Sequence, residues 1–146
     1  MLWLLRHAEA ADGHPDEARP LTPRGIEQAR IAGLALARMD VKLGCCLSSP
    51  KRRAIETARL ACEPLDVEIV TEPAIAGATY EPELLTAGYD NAMLVGHNPS
   101  ISDVLRDMTG ARVQFRKGGI AAVRRGQLVL LMTPQELAAI AGVESV

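Results

Sequence analysis

A chain of 146 residues, 48% hydrophobic and with a formal net charge of −2, is long enough to bury a core without disulfide or metal staples and too apolar to stay disordered. The small negative charge gives no general attraction to nucleic acid or to an anionic membrane surface, so an anion site has to be built locally. Its three cysteines cannot all pair internally, and no run approaches the ~20 apolar residues of a spanning helix. Cys45 and Cys46 are neighbours on an expected buried strand, and with Cys62 they read as small core residues of a reduced, cytoplasmic protein.

The N-terminal run Met1-Leu2-Trp3-Leu4-Leu5 has no basic residue before it and is too short for a secretory segment; it predicts a buried strand over residues 1–6. It delivers Arg6-His7, then Ala8-Glu9-Ala10 and a polar loop through Asp12, Gly13, His14 and Pro15. Thr22-Pro23 starts a helix that runs to about Met39, threonine capping free N–H groups and proline filling the first helical position, where its missing donor is not needed. Ile26, Ala29, Gly33 and Leu36 form its apolar stripe. Residues 43–48 read as a second strand, and Ser49-Pro50 opens a helix with Ala54, Ala58 and Ala61 inward, ended by Pro64.

Val67, Ile69 and Val70 suggest a third strand, and Glu72 to Tyr89 is irregular, with a short helix near Glu83. Ala92-Met93-Leu94-Val95-Gly96 repeats the opening grammar, a strand delivering His97, and Pro99 starts a helix that ends at Gly110. Ile120–Val123 and Leu128–Met132 form a hairpin around Arg124-Arg125-Gly126, and Thr133-Pro134 caps a last short helix. Strands alternating with helices predict one α/β domain over residues 1–146, a three-layer sandwich with a mostly parallel central sheet.

Four segments carry chemistry in this order: Arg6-His7-Ala8 after the first strand, Arg19-Pro20-Leu21-Thr22 with Gly25, Ser49-Pro50-Lys51-Arg52-Arg53-Ala54 with Thr57, and Gly96-His97. Together they resemble the histidine phosphatase superfamily, whose fold is that of phosphoglycerate mutase. The short chain and the Arg-Pro-Leu-Thr segment are most similar to the phosphohistidine phosphatases of SixA type. The resemblance runs from residue 1 to about residue 132.

It implies His7 as a nucleophile that holds the phosphoryl group covalently, a role open to a neutral imidazole. Arg6 would neutralise phosphoryl oxygens; the plainer reading of Arg6 is an ion pair with Glu9. The Ser-Pro-x-x-Arg-Ala pattern selects Arg53 as the second clamp. Arg52 is turned away by about 100° and reads as solvated. His97 would complete the pocket, the alternative being a buried histidine satisfied by backbone. Arg19 stands between a place on the pocket rim and a role in packing the following helix. Thr57 reads as a packing or local hydrogen-bonding residue, and His14 as solvated.

Two arginines and two imidazoles supply positioning and positive charge for phosphoryl transfer, so no metal or cofactor is expected. A general acid is not chosen by any motif; Glu72, Glu81 and Glu83 lie in the region where larger relatives place one. An imidazole leaving group needs less proton assistance than an alkoxide, so a phosphohistidine substrate tolerates a missing acid. Ala8 replaces the glycine of many relatives and keeps the position small.

The expected function is a metal-independent phosphohistidine protein phosphatase acting on a phosphorelay protein. Alternatives are a small-molecule phosphomonoesterase using the same site and a non-catalytic phosphate- or partner-binding module. Arg112, Arg116 and Lys117 form a basic cluster before Gly118-Gly119, ordinarily a solvated one, that fits an acidic partner protein.

Overall fold

The computed structural model describes residues 1–146. Strands β1 (Leu2–Arg6), β2 (Cys45–Ser48), β3 (Ile69–Thr71), β4 (Ala92–Gly96), β5 (Ile120–Arg124) and β6 (Gln127–Met132) form one sheet in the order β3-β2-β4-β1-β5-β6. The first four pair in parallel, and β5 and β6 extend the sheet antiparallel beyond β1. The sheet is therefore mixed, a parallel block of four strands with a hairpin on one edge. The hairpin turn has positive φ at Arg125 (51°) and Gly126 (72°), the pairing that matches the twist of the two strands it joins.

Alternate residues of the strands feed two cores, because successive side chains of a strand point to opposite faces. Trp3, Leu5, Met93, Val95 and Ile120 pack with helices α1 (Pro23–Arg38), α2 (Arg52–Cys62) and α5 (Pro134–Ala141). Leu4, Leu94, Ala121 and Val123 pack on the other face with Ile75 and with Ile101 and Leu105 of α4 (Ser100–Thr109). Leu4, Leu5, Leu94 and Val95 are fully enclosed, each worth roughly 1.5–3 kcal/mol over exposure. Helices on both faces of the sheet make the three layers that the alternation of elements predicts. The three cysteines are buried and unpaired; the hydrogen bond with the Cys62 thiol, then burial and the Cys45 thiol, raise the Cys46 thiol, as suits core residues.

Two local features set the site. Thr22 Oγ1 accepts from the Gly25 amide at 3.0 Å, capping α1 as threonine before proline predicts. Gly25 lies against the strand-end loop so closely that a Cβ there would meet the Glu9 carbonyl oxygen at 2.0 Å, so only glycine fits. The second feature departs from expectation. Helix α2 begins at Arg52, after the Ser49-Pro50 pair, because Ser49 Oγ accepts from the Lys51 amide at 3.2 Å and holds the chain in a turn. The irregular segment contains a 3-10 turn (Pro73–Ala76) and one short α-helix, α3 (Pro82–Leu85).

Candidate active site

Parallel pairing places β1 and β4 in register, Leu5 opposite Val95 and Arg6 opposite Gly96. The next residues, His7 and His97, therefore leave the sheet side by side at its carboxyl end, where open α/β sheets bind ligands. The His7 amide donates to the Gly96 carbonyl at 2.9 Å, and the imidazole centroids are 5.2 Å apart at an interplanar angle of 51°. From β2, the Ser49 amide donates to the Val95 carbonyl at 3.0 Å, bringing the start of α2 to the same edge. His7, His97 and Arg53 are all buried.

The hydrogen bonds decide which atoms are free. His7 Nδ1 lies 2.7 Å from the Ala8 carbonyl oxygen. A carbonyl only accepts, so Nδ1 carries the proton and Nε2 keeps its lone pair. Burial, opposed in part by the Ala8 carbonyl, and the nearby charges of Arg53, Arg6 and Lys117 push the His7 pKa down to about 4. His97 falls to about 3 through burial, His7, Arg53 and Lys51, with Asp16 acting against them. Both rings are thus neutral at pH 7. His97 Nε2 meets Ser49 Oγ at 2.7 Å, and its Nδ1 is buried without a partner.

Arg6 Nη1 donates to the Phe115 carbonyl at 2.7 Å, and Arg6 Nε and Arg53 Nε are buried without partners. Buried polar atoms are almost always paired. Three of the five unpaired ones in the molecule belong to His97, Arg6 and Arg53, so the orphaned polar atoms concentrate in this one place. Thr57 joins the two halves: its Oγ1 accepts from the Ala8 amide at 3.0 Å and donates to the Arg53 carbonyl at 2.7 Å. The small residue at position 8 is fully buried. No group of three or more His, Cys, Asp or Glu side chains gathers anywhere to hold a metal ion.

The structure adds Asp16, which no motif marked. It lies in a 3-10 turn (Asp16–Ala18) of the loop after β1. Its carboxylate meets Arg53 Nη2 at 3.2 Å, Lys51 Nζ at 3.1 Å and Arg19 Nη1 at 3.1 Å, while its carbonyl accepts from Arg53 Nη1 at 2.9 Å. Donation from Arg19, Lys51 and Arg53 holds the carboxyl far below the usual carboxylate range. Arg19, whose Nε also donates to the Ala11 carbonyl at 2.8 Å, thus braces this loop and reaches Arg53 only through Asp16. Arg52 pairs with Glu56 at 2.6 Å and stays exposed; Glu9 pairs with Arg24 at 3.1 Å and not with Arg6.

None of Glu72, Glu81 and Glu83 contacts the histidines. The Glu72 carboxylate accepts from the Ala74 amide at 3.0 Å, capping a 3-10 turn, and Glu81 is exposed before α3. Glu83 lines a cleft with Met1 and Arg124, at the opposite end of β1 from Arg6.

Residues 2–81 match the model of the histidine phosphatase superfamily (branch 1). The chain belongs to the histidine phosphatase superfamily. It is 35% identical over 85 residues to the human mitochondrial serine/threonine-protein phosphatase PGAM5, covering 56% of this chain and 29% of that protein's length. Among solved structures it is similar to an Agrobacterium tumefaciens protein assigned as phosphohistidine phosphatase SixA (TM-score 0.81, 28% identity, 91% of this chain and 97% of that one). The protein histidine phosphatase SixA complexed with tungstate shares the fold at TM-score 0.80 and 22% identity, over 93% of this chain and 98% of that one. No helix is long and apolar enough to cross a membrane.

Proposed function

We propose that this chain is a metal-independent phosphohistidine protein phosphatase that works through a phospho-His7 intermediate. The supporting observation is the His7 Nδ1–H bond to the Ala8 carbonyl, which leaves Nε2 as a neutral, unprotonated nitrogen beside two arginines. A nucleophile needs that lone pair, and the depressed pKa keeps it available throughout the neutral range.

In the first step His7 Nε2 attacks phosphorus, the new N–P bond forms and the N–P bond to the substrate imidazole breaks. The departing imidazole takes its proton from solvent. In the second step water attacks phosphorus, the bond to His7 Nε2 breaks, and inorganic phosphate leaves with the ring restored. Arg6, Arg53 and His97 hold the phosphoryl oxygens in both steps, through donors that have no other partner in the free protein. Ser49 positions His97, and Asp16 positions Arg53. The tungstate of one similar structure, a tetrahedral oxyanion, supports anion binding on this fold.

Proton supply supports this substrate class. Asp16, the carboxylate bonded to Arg53, is held ionised by three cations and has no proton to give at pH 7, and the Glu9 carboxylate is turned to Thr22 and Arg24. An imidazole leaves without an acid more readily than an alkoxide does. Ester hydrolysis is the second reading, favoured by the similarity to a serine/threonine-protein phosphatase. Turnover of a phosphohistidine-bearing phosphotransfer protein, compared with phosphoserine peptides and sugar phosphates, separates the two. The expected result is a kcat/KM at least about 100-fold higher on phosphohistidine, and equal or higher values on an ester would overturn it.

A further inference from the structure

A cleft of about 600 Å³ is lined by Arg6 of the site together with Gln28, Thr133 and Pro134. Its lining has four cationic side chains, Arg6, Arg24, Arg116 and Lys117, against one acidic side chain, Glu9. Arg24 is already engaged, by Glu9 at 3.1 Å and by the Val146 oxygen at 3.2 Å. Arg116 and Lys117 are exposed, and neither side chain forms an ion pair or hydrogen bond.

The backbone that carries these two residues is fixed to the strand end. The Arg6 amide donates to the Gly119 carbonyl at 3.1 Å, and the Gly118 amide donates to the Arg6 and His7 carbonyls at 3.0 and 3.2 Å. The Arg6 guanidinium donates to Phe115, one residue before the pair, and the Gly119 amide closes the turn on the Arg116 carbonyl at 2.9 Å. Gly118 has φ +74°, and a Cβ on Gly119 would meet the Arg116 and Met132 carbonyls at 2.9 Å, so the glycines permit this close turn. Residues 115–119 are therefore stitched to the end of β1. The Lys117 charge is near enough to contribute to the neutrality of His7.

We propose that Arg116 and Lys117 form a subsite that binds acidic side chains flanking the phosphorylated residue of a protein substrate. This rests on the protein-phosphatase reading above and names its partner chemistry. The cleft shares Arg6 with the histidine site and is far larger than a phosphoryl group, so it has room for a stretch of protein chain beside the phosphorylated residue. Two uncompensated cations at consecutive turn positions match carboxylates spaced along that chain. Charges at a rim act mainly on encounter and ground-state binding, so the effect belongs in KM and weakens with salt.

The test uses four peptides, phosphohistidine and phosphoserine each with glutamate or serine flanks, together with p-nitrophenyl phosphate, on the full chain. Wild type is expected to favour the acidic flank by about fivefold to tenfold in kcat/KM, through KM. Arg116→Glu is expected to abolish or invert that preference while p-nitrophenyl phosphate turnover stays within about twofold, and Lys117→Ala to reduce it. Equal rates on the two flanks in wild type, or an Arg116→Glu loss as large on p-nitrophenyl phosphate as on peptides, would overturn the subsite. An acidic preference confined to the phosphoserine pair keeps the subsite and rejects phosphohistidine as substrate. Turnover of p-nitrophenyl phosphate with no peptide accepted rejects both.

Discussion

The two walls of the site are built differently. On one side, His7 and His97 follow parallel strands in fixed register, Arg6 opposite Gly96, so backbone hydrogen bonds alone bring them within 5.2 Å. On the other side, residues 72–90 contain two short helical turns and present glutamates that face solvent, cap a turn or point to the far end of the sheet. A sheet specifies position through its ladder, whereas a loop segment specifies it residue by residue. The groups that converge accordingly lie at the strand ends, and the irregular segment brings no carboxylate to them.

That contrast breaks most visibly if residues on the strand-end side prove dispensable. His97→Ala and Arg53→Ala each remove a buried, unpartnered nitrogen that the proposed mechanism assigns to the phosphoryl group, and kcat should fall by about 10²–10³-fold with the fold intact by circular dichroism. A loss under tenfold in either variant would move the chemistry elsewhere.

The pH response sharpens the same contrast. With pKa values near 4 and 3, His7 and His97 should show no imidazole titration between pH 5.5 and 8 by NMR. An unfolded histidine takes up its proton near 6.5, so between 6.5 and about 4 the unfolded chain binds more protons than the folded one. Stability from these rings is thus complete above pH 6.5 and declines as pH falls toward 4, by on the order of 1 kcal/mol per pH unit for each ring. Chemical denaturation at pH 7 and pH 5 measures this; equal stabilities would mean that the rings are not buried neutral.

The smallest effect belongs to the irregular wall. Glu72→Gln, Glu81→Gln and Glu83→Gln should each change kcat on a phosphohistidine substrate by less than about threefold, since none contacts either histidine. A loss above tenfold in any one would identify the proton donor that the proposed mechanism omits.

Most elements were legible in the sequence because each carries its own punctuation. Thr22-Pro23 starts α1, Gly110 ends α4 with φ +80°, and Arg125-Gly126 turns the hairpin. The convergence of His7, His97 and Arg53 was legible too, through motifs spaced along strand ends. Asp16 was not, because a carboxylate in a polar loop has no periodicity and its value comes only from Arg19, Lys51 and Arg53 converging on it. Ser49 read as a helix opener and instead bonds His97, since serine serves either role and tertiary contact decides. Arg116 and Lys117 were visible as charge, but their place beside Arg6 depends on backbone bonds from residues 6 and 7 to residues 118 and 119.

Every step of the proposed mechanism passes through a phosphoryl group on His7. Rapid acid-free quench of the protein during turnover of a ³²P-labelled phosphohistidine substrate, followed by peptide mapping, tests it directly. Acid-labile, base-stable label is expected on the peptide containing His7, absent in His7→Ala, which should also lose turnover by at least about 10³-fold. Label on another residue, or unimpaired turnover by His7→Ala, would contradict it.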